Sequence, residues 1–73
     1  MLGRRQARMV EAMITATFVL EKETKGTWRY REIDDAGRVV EVALARMGAI
    51  YIRKGAISGS PPKVISIEVV ART

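Results

Sequence analysis

Apolar and polar residues alternate with a period of two in four separate stretches of this chain, a spacing that fits a pleated strand and not a helix. In the first, Ile14, Ala16, Phe18 and Leu20 fall on one face and Thr15, Thr17, Val19 and Glu21 on the other. In the second, Thr27 to Ile33, the rings of Trp28 and Tyr30 point one way and Arg29 and Arg31 the other. The third, Ala49 to Ile57, opposes Ile50 and Ile52 to Tyr51 and Arg53 until Gly55 interrupts it. The fourth, Lys63 to Ala71, sets Ile65, Ile67 and Val69 against Val64, Ser66, Glu68 and Val70.

Turn chemistry separates these stretches. Lys22 to Gly26 is polar and closes on a glycine, which reads as a hairpin connection. Asp34-Asp35-Ala36-Gly37 is a second turn, with the aspartates bonding local backbone instead of forming a catalytic dyad. Ser58-Gly59-Ser60-Pro61-Pro62 is a stiff-ended loop. The sum predicts a mainly β fold, a small antiparallel sheet of four to five strands with hairpin-linked neighbours paired and one face buried. One such sheet leaves its apolar face uncovered, so it must curl into a partial barrel, take a helix over it, or pair with a copy of itself.

Residues 38–47 admit two readings. They form an extended run with Val40, Val42 and Leu44 on one face, or a helix capped by Asp35 and Gly48 with a Val39, Val40, Ala43, Leu44, Met47 stripe. The valines near the start weigh against the helix, so a strand start leading into a connector is the preferred reading. Residues 1–13 carry Arg4, Arg5 and Arg8 against one acid, Glu11, and read as a basic arm, disordered or helical on contact. A chain of 73 residues supports one small core, so residues 14–73 are expected to form a single β domain.

The absence of Cys and His removes the disulfide, the thiolate nucleophile, the imidazole base and ordinary zinc or haem ligation. No glycine-rich phosphate loop or twelve-residue calcium loop occurs, and nothing sets two carboxylates together in an apolar pocket. The expectation is a protein that is not an enzyme and takes no cofactor or metal. No apolar run is long enough for a membrane span and no signal-like segment follows Met1, which reads as a prokaryote-like cytoplasmic protein.

Thirteen Lys and Arg against eight Asp and Glu give a net charge of +5, which favours acidic partners. Arg29, Arg31 and Arg53 share the parity opposite the Trp28 and Tyr30 rings, and Tyr51 lies among them. Cations that follow phosphates around a ring that stacks on bases are what hold single-stranded DNA or RNA. Arg4, Arg5 and Arg8 would add salt-sensitive backbone contacts. Trp28 is expected as a core anchor with its indole N–H bonded at the margin. Lys54 shares the parity of Ile50 and Ile52, with a bulge at Gly55 free to re-aim it. The leading expectation is therefore a non-enzymatic nucleic-acid-binding module. The alternative is a homo-oligomer, in the first instance a dimer, with a structural or interaction role; Val19, Val42 and Val70 on the wet face favour it.

Two motifs carry a resemblance. Lys22-Glu23-Thr24-Lys25-Gly26-Thr27-Trp28-Arg29-Tyr30 and Gly48-Ala49-Ile50-Tyr51-Ile52-Arg53-Lys54, followed by Pro61-Pro62-Lys63, resemble a set of small uncharacterised prokaryotic and phage-associated proteins. These share a KETK-x-T-x-R-Y hairpin and a G-x-x-Y-I/V-x-K strand. The likeness spans residues 17–70, leaves Val39 to Met47 and the arm unmatched, and implies a β fold with no activity, cofactor or functional residue attached.

Overall fold

A computed structural model describes the backbone of residues 10–72 and the side chains of residues 13–72. The fold is mainly β, as the alternation predicts. Strands β1 (Val10–Glu23), β2 (Thr27–Ile33), β3 (Ala49–Arg53) and β4 (Val64–Arg72) form one antiparallel sheet in the order β3-β2-β1-β4, curled into a half-barrel. Thr24 fastens the β1–β2 turn. Its N–H donates to the Thr27 carbonyl at 2.9 Å, and its hydroxyl accepts from the Thr27 N–H at 3.0 Å.

Ala16 and Phe18 of β1 and Tyr30 of β2 are buried, and Leu20, Trp28, Met47, Ile50, Ile52, Ile65 and Ile67 pack partly buried around them. The core face is thus the parity read from the sequence. Because β3 and β4 lie on opposite edges, the chain between them must cross the width of the sheet. The Tyr30 hydroxyl catches it in passing, donating to the Pro62 carbonyl at 2.8 Å.

Glu32 is the polar member of the buried set. Its Oε1 accepts three successive backbone N–H groups, from Arg46, Met47 and Gly48, at 2.9, 2.8 and 2.9 Å. Its own N–H donates to the Gly48 carbonyl at 2.8 Å, and its carbonyl accepts from the Val40 N–H at 3.1 Å. Gly48 sits at φ +82°, where a side chain would be strained, and this turn brings the three amides to one point. Burial pushes the Glu32 carboxyl up, but the amides of Gly48, Met47 and Arg46 with the Arg46 charge outweigh it and hold the group below its usual range. The Arg46 guanidinium then donates to the Thr15 carbonyl at 2.8 Å, linking this turn to β1.

The structure departs from the sequence reading in three places. Residues 38–47 form neither the preferred strand start nor the helix: Val39 makes a single bridge to Ile33, and a 3-10 turn follows at Val42–Leu44. Val42 and Leu44 are 81% and 74% exposed, so no apolar stripe is buried here, and the Glu32 carboxylate dictates the path. Strand β1 begins at Val10, so residues 10–13 belong to the sheet and not to the arm; they pair with the end of β4 across a bulge between Ala12 and Ile14. That extra residue breaks the period of two and hides the continuation from the sequence. Finally, β3 stops at Arg53, and Lys54–Ala56 is a 3-10 turn in place of a bulged strand.

Replacing Tyr30 by Phe removes the Pro62 bond without opening a cavity and is expected to cost about 1 kcal/mol in chemical denaturation, with faster amide exchange in residues 57–63. Glu32→Gln keeps an acceptor but loses its charge, with an expected cost of about 1–2 kcal/mol at neutral pH. Since the folded-state carboxyl titrates below its unfolded value, the stabilisation is present above the unfolded pKa and lost as pH falls through the folded one. The native chain should therefore lose stability below about pH 4 more steeply than Glu32→Gln, measured as midpoints across a pH series.

Candidate nucleic-acid interface

The outer face of the sheet is built by the residues that alternate with the core. Along β2 and β3, Thr27 lies opposite Arg53, Arg29 opposite Tyr51 and Arg31 opposite Ala49. On the β1 side, Arg31 faces Val19 and Arg29 faces Lys22. The structure thus gathers Arg29, Arg31, Tyr51 and Arg53 on one surface, opposite Trp28 and Tyr30. Arg4, Arg5 and Arg8 lie outside the described residues.

These side chains differ in how free they are. The Arg29 guanidinium lies over the Tyr51 ring, 5.7 Å from its centroid. Its Nε is 3.2 Å from Glu21 Oε1, an ion-pair contact whose direction does not make a hydrogen bond. Arg31 approaches the other Glu21 oxygen more loosely, at 3.9 Å. Both arginines are therefore half-buried and held in place. Tyr51 is 59% exposed, and Arg53 is exposed without an ion pair among the described residues.

The sequence reading of this face lacks Lys22 and gives Glu21, which it places here by parity, no role. Between Leu20 and Lys22 the β1–β2 register slips by one residue, so Lys22 comes to lie opposite Arg29 and Glu21 reaches both arginines. The signal in the sequence is the run of three charged residues, Glu21-Lys22-Glu23, in which the alternation ends. Lys22, Arg29, Arg31 and Arg53 against Glu21 leave the face cationic around an accessible ring.

Lys54 points to the other side. Its ammonium lies 4.8 Å from the Trp28 ring centroid and pairs with Glu23. Trp28 packs against the core as expected, but its indole N–H has no hydrogen-bond partner among the described residues, contrary to the expectation of one at the margin. The acid directly across the ladder, Glu23, is engaged by Lys54 instead.

Beyond the end of β2 lies a concavity of about 570 Å³, lined by β1, Glu32 and the 33–46 connection. Asp34 accepts from the N–H groups of Arg38 and Ala36, each at 2.9 Å, in a local turn. The Arg38 amide, followed by that of Ala36 and the Arg38 charge, holds its carboxyl below the usual range. No group of three or more metal-ligating side chains occurs among the described residues, and none of their helices is long and apolar enough to cross a membrane.

Comparison with protein-family models, curated proteins and solved structures finds no match to this chain.

Glu21→Gln should leave thermal stability nearly unchanged, within about 1 kcal/mol, because Glu21 itself is exposed and its contacts to the two half-buried arginines are loose. It should also free Arg29 and Arg31 and delay elution from heparin to higher salt, which a gradient run of the two proteins checks.

Proposed function

We propose that the chain is a non-enzymatic module that binds single-stranded DNA or RNA on the outer face of its sheet, in the cytoplasm of a prokaryotic or phage-infected cell. The observation that carries this reading is the exposed Tyr51 ring bordered by Arg29 and Arg53, with Arg31 two residues along β2 from Arg29 and Lys22 opposite Arg29 on β1. A base stacks on the ring, and the cations follow the phosphates on either side. Because Glu21 holds Arg29 and Arg31 before a ligand arrives, less side-chain freedom is lost on binding. The arm of Arg4, Arg5 and Arg8 adds backbone contacts that carry no sequence information. Such a face favours strand over duplex, since its ring needs an unstacked base.

A second reading, self-association, is favoured by the exposure of Val64 and Val69 on the edge strand β4. The two readings are compatible.

The test is fluorescence anisotropy of a labelled oligonucleotide against salt. Three or four phosphate contacts give a slope of roughly −2 to −3 in log K against log salt for a single strand. Arg29→Ala with Arg31→Ala should flatten that slope and remove most of the affinity. Tyr51→Ala should weaken binding by about 1–3 kcal/mol and leave the slope intact. Affinity no greater than that of a generic basic protein, or indifferent to all three substitutions, ends the nucleic-acid reading.

A further inference from the structure

The two edges of the sheet are unlike. Strand β3 is five residues long and runs into Arg53 and Lys54, charged and short in the manner that blunts edge pairing. Strand β4 is nine residues long, rich in β-branched residues, and carries one charge, Glu68, before its terminal Arg72. Its inner side pairs with β1 over almost its whole length. The Leu20 N–H donates to the Lys63 carbonyl at 2.8 Å, so the backbone groups of Lys63 face β1. Alternation then turns the N–H and C=O groups of Val64, Ser66, Glu68 and Val70 to the open side.

We infer that β4 pairs antiparallel with β4 of a second copy of this chain about a two-fold axis at Ile67, joining two half-barrels into one eight-stranded sheet. This gives a specific surface to the self-association reading above and rests on it. What selects the partner is the sequence of the strand itself. Read outward from Ile67 in either direction, Val-Ile-Ser-Ile-Glu-Val-Val matches its own reverse in kind. Ile67 meets Ile67, Ile65 meets Val69, Ser66 meets Glu68 and Val64 meets Val70. Every outward N–H then finds an outward C=O. No like charges stand opposite, and the apolar pairs fall on both faces.

Neighbouring registers lack this match. An axis at Glu68 sets two carboxylates face to face, and an axis at Ser66 brings Pro62, which has no N–H, opposite Val70. An axis normal to the sheet also keeps like faces together. The half-exposed Ile65, Ile67 and Val69 row becomes continuous across the junction, and the two cationic outer faces look the same way.

Sedimentation equilibrium across the micromolar range, without nucleic acid, tests this. The native chain should dimerise. Ser66 is exposed and faces Glu68 of the other copy twice in this register, so Ser66→Lys should tighten the dimer roughly tenfold and Ser66→Glu should loosen it roughly tenfold. Ser66→Pro removes only an outward N–H and should give a monomer with native circular dichroism. A native chain that stays monomeric overturns both the inference and the self-association reading. A dimer that responds equally to the Lys and Glu substitutions, or persists in a folded Ser66→Pro, overturns this edge and register while leaving self-association in place.

Discussion

The fold turns on one buried carboxylate. A glutamate at this depth is costly unless it is fully bonded, and Glu32 meets that cost by collecting three consecutive amides from a connection whose regular structure is one bridge and one 3-10 turn. Fixing Arg46, Met47 and Gly48 sets where β3 begins. The start of β3 in turn fixes the register that puts Tyr51 beside Arg29. The same contact drops Met47 onto the core and aims Arg46 at the Thr15 carbonyl of β1. The outer face is therefore assembled from the inner one: displacing the carboxylate would let β3 slide and separate the ring from its guanidinium.

Much of this was legible from spacing alone. The alternation at Trp28, Arg29, Tyr30 and Arg31 is a period-two pattern with large rings on one side, and burial of those rings decides the face of every neighbour. The outer-face placement of Arg29, Arg31, Tyr51 and Arg53 follows from it. The role of Glu32 was not legible. It shares the parity of Trp28 and Tyr30, yet a charged residue at an inward position is ordinarily read as a strand end or an acid, and its partners lie about fifteen residues away in a stretch without periodicity. The slips at Glu21 and Met13 were hidden for a related reason, since one inserted residue shifts parity without leaving a motif. Strand order was equally silent, because nothing local says that the strand after β3 crosses to the far side of β1.

Charge is distributed along the molecule as well as across it. Around the concavity at the end of β2, Glu32, Asp34, Asp35 and Glu41 outnumber Arg38 and Arg46. The cations Lys22, Arg29 and Arg53 gather towards the turn at the opposite end. A polyanion approaching the sheet is thus attracted at one end and repelled at the other, which orients it before any contact forms.

The order β3-β2-β1-β4 also has a consequence for synthesis. A ribosome delivers β1 about forty residues before the strand that covers its second side. Until β4 emerges, Phe18 and Ala16 lack Ile65 and Ile67, and β1, the longest of the described strands, presents a bare flank to its surroundings. Folding must therefore wait for the last strand to arrive, and in that interval the nascent chain is open to capture by chaperones or by its neighbours on a polysome.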